Sequence, residues 1–347
     1  MIRRNERTLY KRNCDLCKED VISMYDKESP FTIYCHECWW SDDWDPFAFG
    51  IELDFTKPLF QQFYELSLKF PRVALFQVGN INSSFTNHAD HNKNCYLAFN
   101  NGFIEDSMYS KWGVKSKHMF DCYSIFSSEL ICESFDSERC YNSVHVYYSK
   151  DCLNCSFVYN CHGCNDCFLS TNLRNKSYVF ENKQLTKEEY QKKLKEFNLG
   201  NYLIYFETLK KFKEEILSKT IRKFAFSEKN VNSTGENIFE SKNIKECFHV
   251  SKSENCAYCV DDSGIKDSYD VYESAFNCEL QYDCHGCNRT SNSKWCSVSY
   301  DSHDLSFCDM CYNSNNLFAC IGLRSKSYCI LGNYIQYYPK IRHFPSV

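Results

Sequence analysis

The sequence predicts a mostly β protein: an N-terminal zinc ribbon, then a right-handed parallel β-helix, or β-solenoid, interrupted by an inserted helical hairpin. Three observations support this fold class. Two CxxC pairs lie near the N-terminus, a cysteine-rich motif returns every twelve residues through most of the remaining chain, and one lysine-rich segment lacks that motif. A fixed short repeat is typical of a stacked array in which each unit contacts only its neighbours.

Composition limits the environment and the partners. The chain has 347 residues, 24 of them cysteine, and a net charge of −5, which predicts no general attraction to nucleic acid. The N-terminus has no apolar signal-peptide core, and no run of 18 apolar residues is present, so we expect no membrane span and a cytoplasmic protein. Thiols stay reduced there, which favours metal ligands over disulfides.

The two N-terminal CxxC pairs predict one metal site. Cys14 and Cys17 form the first pair, and Cys35 and Cys38 form the second after 17 intervening residues. Two such knuckles are typical of a zinc ribbon, in which four thiolates hold Zn²⁺ tetrahedrally. Because all four positions are cysteine, we expect the Zn²⁺ to be structural, since a catalytic zinc keeps one position open for water.

The ribbon is flanked by a basic arm and by a tryptophan-rich segment. Together the arm and the ribbon span residues 1–50, and a linking helix and cap span 51–93. Trp39, Trp40 and Trp44, spaced by acidic residues, predict a seam packed within the protein. The arm is either a solvated tail or a phosphate-binding surface for RNA, through Arg3, Arg4, Arg7, Lys11 and Arg12.

The array occupies residues 94–180 and resumes over 224–347. Its first block places cysteine at 140, 152 and 164, and the second places it at 284, 296, 308 and 320. Asn and Asp recur beside short β-prone runs, at corners where left-handed backbone is tolerated. We expect two twelve-residue units per turn, hence about two dozen residues per turn of the solenoid. LRNKSY at 173–178 recurs as LRSKSY at 323–328, which indicates a duplication.

Residues 181–223 predict the helical hairpin. Thr186 and Glu189 form a capping box at its start, and apolar residues recur at helical spacing after it. The segment is locally basic, so it is either a brace on the side of the array or a nucleic-acid contact. We favour the brace.

The array cysteines allow three interpretations. The first is that they are small buried residues suited to a narrow interior. In the second, a further metal is bound, with Cys152, Cys155, Cys161 and Cys164 as the best set. The third is an iron–sulfur cluster on the CxxCxxC run that ends at Cys167, where the expected fourth cysteine is Thr171. The first interpretation is favoured because the twelve-residue unit repeats throughout the array, whereas the CxxC pairs do not.

Four motifs resemble an uncharacterised bacterial family that joins a zinc ribbon to cysteine-rich repeats. These motifs are RNERTLYKR at 4–12, CWWSDDWDP at 38–46, TNHADHNKNCYL at 86–97 and LRNKSY at 173–178. The resemblance covers most of the chain and implies no activity. Some members of that group lack one or more knuckle cysteines, which implies that zinc is dispensable in those members.

No catalytic pair or triad stands out, so the sequence predicts no catalytic residues and a protein that is not an enzyme. The favoured function is a zinc-binding scaffold that recruits a protein partner. The alternatives are a factor that associates with RNA or the ribosome through the basic arm and hairpin, and a metal–sulfur enzyme. The sequence leaves the oligomeric state open.

Overall fold

The computed structural model describes residues 7–273 and 277–335, and these residues are mostly β. The N-terminal region contains short strands and helices, followed by a longer helix. They are β1 (Tyr10–Asn13), β2 (Asp20–Ser23), β3 (Ile33–Tyr34), α1 (His36–Trp40), a 3₁₀ helix (Pro46–Phe49), α2 (Leu59–Lys69) and β4 (Arg72–Val73). β1 pairs with β2 antiparallel, and β3 pairs with β4.

A thirteen-stranded sheet follows, and its neighbouring strands are parallel except for the last pair. Its strands are β5 (Gln77–Val78), β6 (Asn87–Asp90), β7 (Phe99–Gly102), β8 (Lys111–Val114), β9 (Lys117–Phe120), β10 (Tyr123–Phe126), β11 (Glu129–Cys132), β12 (Phe135–Glu138), β13 (Tyr141–Tyr147), β14 (Ser156–Tyr159), β15 (Asn165–Thr171), β16 (Ser177–Phe180) and β17 (Lys183–Gln184). The antiparallel β16–β17 turn ends this run.

Two helices then interrupt the strands. They are α3 (Lys187–Glu196) and α4 (Tyr202–Lys211), which continues into a π turn (Phe212–Ile216) and a 3₁₀ turn (Leu217–Lys219). The predicted capping box is confirmed: the Thr186 side chain accepts from the Glu189 backbone N–H, and the Glu189 side chain accepts from the Thr186 N–H.

A second, twelve-stranded sheet repeats the plan of the first and also ends in an antiparallel pair. Its strands are β18 (Ser227–Glu228), β19 (Val231–Phe239), β20 (Lys242–Ser251), β21 (Glu254–Ala257), β22 (Val260–Ser263), β23 (Lys266–Tyr272), β24 (Glu279–His285), β25 (Ser291–Lys294), β26 (His303–Ser306), β27 (Asn315–Phe318), β28 (Ser327–Ile330) and β29 (Asn333–Tyr334). The chain forms two compact units. The first holds residues up to 14, 18–28 and 73–222, and the second holds 15–17, 29–72 and 223 onward.

The strand register shows that one turn of the array is half as long as expected from the sequence. Lys111 pairs with Tyr123, which pairs with Phe135, and Lys117 pairs with Glu129 in the same sheet. Residue i therefore lies beside residue i+12, so twelve residues bring the chain back beside itself. The expectation of about two dozen residues per turn is wrong, because each twelve-residue unit makes its own set of parallel pairs.

Backbone dihedral angles explain how only twelve residues complete one turn of the array. In the first sheet every third residue has φ near +50°, from His88 through Asn160 and beyond, and Gly163 occupies one of these positions. A left-handed residue at each third position makes a corner, and four such triplets make twelve residues. Bulky residues such as Trp112 and Phe157 also adopt this conformation, at a cost of about 1–2 kcal/mol each relative to right-handed backbone. We infer that hydrogen bonds to the adjacent turns offset this cost.

From Ala89 to Ser170 in the first sheet, the residue after each corner is buried. Examples are Ser116, Met119, Cys122 and Ile125 in successive triplets, each 4% exposed or less. At these inward positions serine and cysteine make the same bonds. Ser116 Oγ donates to the carbonyl of Val114 at 3.0 Å, and Cys122 Sγ donates to that of Phe120 at 3.3 Å. Each array CxxC pair therefore consists of two consecutive inward positions.

Candidate metal centre

The first knuckle is a tight turn that follows β1. The N–H of Cys14 donates to the carbonyl of Glu19 at 2.9 Å, and the N–H of Lys18 donates to the carbonyl of Cys14 at 3.0 Å. Lys18 adopts left-handed backbone with φ of 68°, which reverses the chain directly after Cys17. The turn therefore holds the thiols of Cys14 and Cys17 close to each other.

The second knuckle begins α1. Cys35 is the N-cap residue of this helix, and its Sγ accepts from the backbone N–H of Cys38 at 3.3 Å. The N–H of Trp39 donates to the Cys35 carbonyl at 2.9 Å. An N–H donated to sulfur favours the thiolate form, which is the form that binds metal.

The four predicted ligands converge. The Sγ atoms of Cys14, Cys17, Cys35 and Cys38 all lie within 4.8 Å of one another. The Cys17 and Cys35 Sγ atoms are 3.9 Å apart. A tetrahedral zinc with bonds of about 2.3 Å would separate its sulfurs by about 3.8 Å, so this spacing fits. In residues 7–273 and 277–335 no other group of three or more Cys, His, Asp or Glu side chains is close enough to share one ion. The group could hold a metal ion, and the donor set suits zinc.

The second knuckle leads directly into an aromatic cluster of the second unit. Trp39, the residue after Cys38, is fully buried, and its Nε1 donates to the carbonyl of Pro71 at 3.3 Å. Trp44 Nε1 donates to the carbonyl of Cys38 at 3.0 Å. The Arg324 guanidinium lies 4.9 Å from the ring centroids of both Trp39 and Trp44 and 5.4 Å from that of Trp40.

This cluster, here called the tryptophan seam, joins the knuckle to the second array. Its residues are Trp39, Trp40, Trp44, Phe70, Tyr312 and Arg324. The Trp39 and Trp40 rings meet the Tyr312 ring edge-on, with centroids 5.9 and 5.2 Å apart. Close by, the buried Arg72 Nη1 donates to Asp309 Oδ2 at 2.9 Å. Trp39 and, in part, Trp44 are thus packed within the protein, as the sequence predicted, whereas Trp40 is 40% exposed.

The second predicted metal set lies at inward positions of the first array. Cys152, Cys155, Cys161 and Cys164 are each 1% exposed or less, and their thiols donate to backbone carbonyls. For comparison, burial raises the pKa of the inward Cys122 thiol to about 12. Among the described residues, these four thiols are not close enough together to share one ion. A second metal there stays a prediction.

The basic arm is only partly described. Arg3 and Arg4 lie outside the described residues. Arg7 and Lys11 are exposed, whereas Arg12 is buried on β1 and its Nη1 donates to the carbonyl of Asp26 at 2.9 Å. Binding of RNA through this arm stays a prediction.

Sequence reasoning missed a partly buried polar network in the first unit. The Tyr205 hydroxyl of α4 donates to Glu133 Oε1 at 2.8 Å and lies 2.7 Å from His145 Nε2. His145 Nδ1 is 3.0 Å from the Tyr147 hydroxyl. Burial lowers the pKa of His145 to about 4, against a smaller opposing effect of Glu133. A neutral His145 with its proton on Nε2 would satisfy all four groups.

The twelve-residue offset between Glu133 and His145 was the only sequence signal of this network. It places both residues at corners of adjacent turns, with φ of 45° and 52°. Tyr205 comes from the helical insert, 60 residues after His145. Nothing in the sequence indicated which corner the insert covers.

Three comparisons with known proteins were made. No family model matches the chain, and no curated protein matches it. Among solved structures, the chain is similar to one from Desulfovibrio desulfuricans G20 assigned as an acetyltransferase. The identity is 12%, the match covers 75% of this chain and 70% of that chain, and the TM-score is 0.15. It is also similar to the polySia specific acetyltransferase NeuO, at 11% identity, 67% and 79% coverage and a TM-score of 0.10.

These neighbours correct one expectation. Both are named as acetyltransferases, which contradicts the expectation that the protein is not an enzyme. TM-scores this low transfer no substrate, cofactor or catalytic residue to the chain. Among the described residues, no helix is both long and apolar enough to cross a membrane.

Proposed function

We propose that the chain is a zinc-binding interaction protein. In this proposal a zinc ribbon with four cysteine ligands packs against a parallel β-solenoid, and the side of the solenoid binds a protein partner. The observation that carries the proposal is the convergence of Cys14, Cys17, Cys35 and Cys38 within 4.8 Å. An all-thiolate set closes the coordination sphere, so the zinc stabilises structure and leaves no position for substrate.

The direct connection between knuckle and seam supports a structural role for the metal. Cys38 is followed at once by Trp39, and the Cys38 carbonyl accepts from Trp44 Nε1. Zinc that fixes Cys35 and Cys38 would also fix the start of α1, and hence the direction in which Trp39 enters the seam. Metal binding then contributes folding free energy to this part of the second unit.

The solenoid assignment rests on the i to i+12 parallel register and on the corner at every third residue. The sides of such an array offer long, regular surfaces, which repeat proteins commonly use for binding. On the first unit, Tyr96, Tyr109 and Phe120 are 39–44% exposed, and their rings meet edge-on. Exposed, contiguous aromatic rings favour a protein partner. The proposal includes a reducing, cytoplasmic setting, in which the knuckle thiols stay available to zinc.

Metal analysis of protein purified without added metal tests the proposal. We expect about one zinc per chain. Cys17→Ser removes a ligand at an exposed position and should abolish stoichiometric zinc. Cys132→Ser changes the one array thiol that is not buried and should leave the zinc content unchanged. Absence of zinc from the unmodified protein, or iron with visible absorbance in its place, would overturn the assignment.

A further inference from the structure

An open groove of about 610 Å³ lies on the side of the first unit. Two of its lining residues are acidic, three are aromatic, and none is lysine, arginine or histidine. They are Tyr109, Asp121, Cys122, Tyr123, Glu133, Ser134 and Phe135. The volume falls within the range of about 300–1,000 Å³ that is usual for ligand sites.

The two carboxylates lie on neighbouring turns of the array. Asp121 and Glu133 are twelve residues apart, and both are corner residues, with φ of 51° and 45°. Adjacent parallel strands are about 4.8 Å apart, so these corners follow one another along the same side. Asp121 is exposed, and the Glu133 side chain is 40% exposed. Two carboxylates on neighbouring corners create a site of negative potential.

The partly buried network holds Glu133 in place. Tyr205 donates to Oε1 at 2.8 Å, and His145 Nε2 lies 3.3 Å from Oε2. A carboxylate accepts about four hydrogen bonds in all, so Glu133 keeps acceptor capacity for a ligand.

The aromatic walls are also fixed by their neighbours. Phe135 stacks on Tyr147 with centroids 4.2 Å apart, and Tyr109 meets Phe120 edge-on at 5.3 Å. A rigid site loses little conformational entropy when it binds. Aromatic faces beside carboxylates select a flat cation, because the guanidinium group stacks on rings and pairs with carboxylates through two parallel N–H bonds.

We propose that this groove binds an arginine side chain presented by a protein partner. The proposal rests on the proposed function in one respect, namely that the side of the solenoid is the interaction surface. In the proposed complex, the guanidinium of the partner's arginine lies between Asp121 and Glu133 and packs against the aromatic walls. The Tyr205–His145–Tyr147 network acts as a support that positions Glu133 and does not touch the ligand.

Calorimetric titration with two short peptides tests the proposal on the full chain. The first is acetyl-Gly-Arg-Gly-amide, and in the second citrulline, a neutral isostere, replaces arginine. We expect the arginine peptide to bind at least ~10-fold more tightly, as expected for a cation beside aromatic rings and carboxylates. Equal affinity for the two peptides, or no binding of either, would overturn the proposal.

Two variants localise the binding. Glu133→Gln keeps an acceptor for Tyr205 but removes the charge, and we expect it to weaken the arginine peptide ~10-fold without changing the citrulline peptide. Glu129→Gln is the matched control, because Glu129 lies on β11, four residues before Glu133, and is exposed but does not line the groove. Equal losses in the two variants would refute the site. Zinc content measured on the same samples reports on the proposed function separately, since the groove contains no zinc ligand.

Discussion

A methyl group added at Gly322 would test the contact between the linking helix and the second array. A Cβ at this position would overlap the Cε1 and Cζ atoms of the Phe70 ring. That ring has little room to move, because it is 2% exposed and packs against Trp44 and Phe49 with centroids 5.6 and 5.5 Å away. Gly322→Ala should therefore disrupt the tryptophan seam.

Gly286 supplies a matched control, because it lies 36 residues, or three turns, before Gly322 in the same array. Both are left-handed corners, with φ of 60° and 65°, and the nearest atom to a Cβ at Gly286 is Val298 Cγ2 at 3.7 Å. Gly286→Ala should cost only the conformational term, about 1–2 kcal/mol. Gly322→Ala should cost a further 1–3 kcal/mol, roughly the range for overpacking a buried site.

Urea unfolding of both full-length variants, followed by tryptophan fluorescence, measures this difference. Fluorescence reports on the seam, because three of the five tryptophans of the chain belong to it. We expect the midpoint of the seam transition to fall further for Gly322→Ala than for Gly286→Ala. Equal midpoints would show that Phe70 does not pack against this corner, and the account of the seam would then fail.

Three further predictions concern other parts of the structure. Because burial lowers the pKa of His145 from about 6.5 to about 4, stability present above pH 6.5 is lost as the pH falls toward 4. Wild type should lose about 2–3 kcal/mol more than His145→Gln over that interval in chemical unfolding, and parallel pH profiles would contradict this. Alkylation of the native, zinc-loaded protein followed by mass spectrometry should label Cys132 first among the array thiols, since the other nineteen are buried, and prior labelling of a buried thiol would refute the packing. Asp309→Ala leaves Arg72 buried without its carboxylate and should cost about 3–5 kcal/mol, whereas the double variant Arg72→Met, Asp309→Leu should recover most of that stability. A double variant as unstable as the single would contradict this.

The convergence of the four knuckle cysteines could be predicted from sequence because the geometry of each pair is local. Each CxxC pair is a single turn, and the two knuckles need only one short β connection to meet. The capping box at Thr186 and Glu189 is local for the same reason. Mostly β structure followed from short apolar runs separated by turn residues.

The length of the turn was misjudged, because the twelve-residue cysteine spacing was taken as half a turn, whereas it is a whole turn of four triplets. The triplet is the structural step, and its inward positions accept Cys, Ser, Ile, Val or Met. Cys152 and Cys155 therefore occupy consecutive inward positions, although their spacing resembles that of a metal knuckle. The duplicated LRxKSY motif lies at the start of β16 and β28, immediately before the antiparallel turn that ends each sheet. The motif therefore marks the end of each sheet, and one copy of it alone could not have indicated this role.

The network around Glu133 could not be predicted, because it depends on which corner the helical insert covers. Tyr205 meets His145 only after both the array and the insert have folded. The groove beside Glu133 arises in the same way, from aromatic and acidic corners of successive turns. Such sites depend on long-range packing, and the residue types alone, scattered through the sequence, gave no indication of them.

X-ray absorption at the zinc edge tests the central claim most directly. The account predicts one zinc per chain, bound by four sulfur atoms at about 2.3 Å with no nitrogen or oxygen ligand. Together with loss of zinc in Cys17→Ser, that result would assign the metal to Cys14, Cys17, Cys35 and Cys38 and leave His36, inside the second knuckle, outside the coordination sphere. A nitrogen ligand, an oxygen ligand or fewer than four sulfurs would contradict the closed structural site.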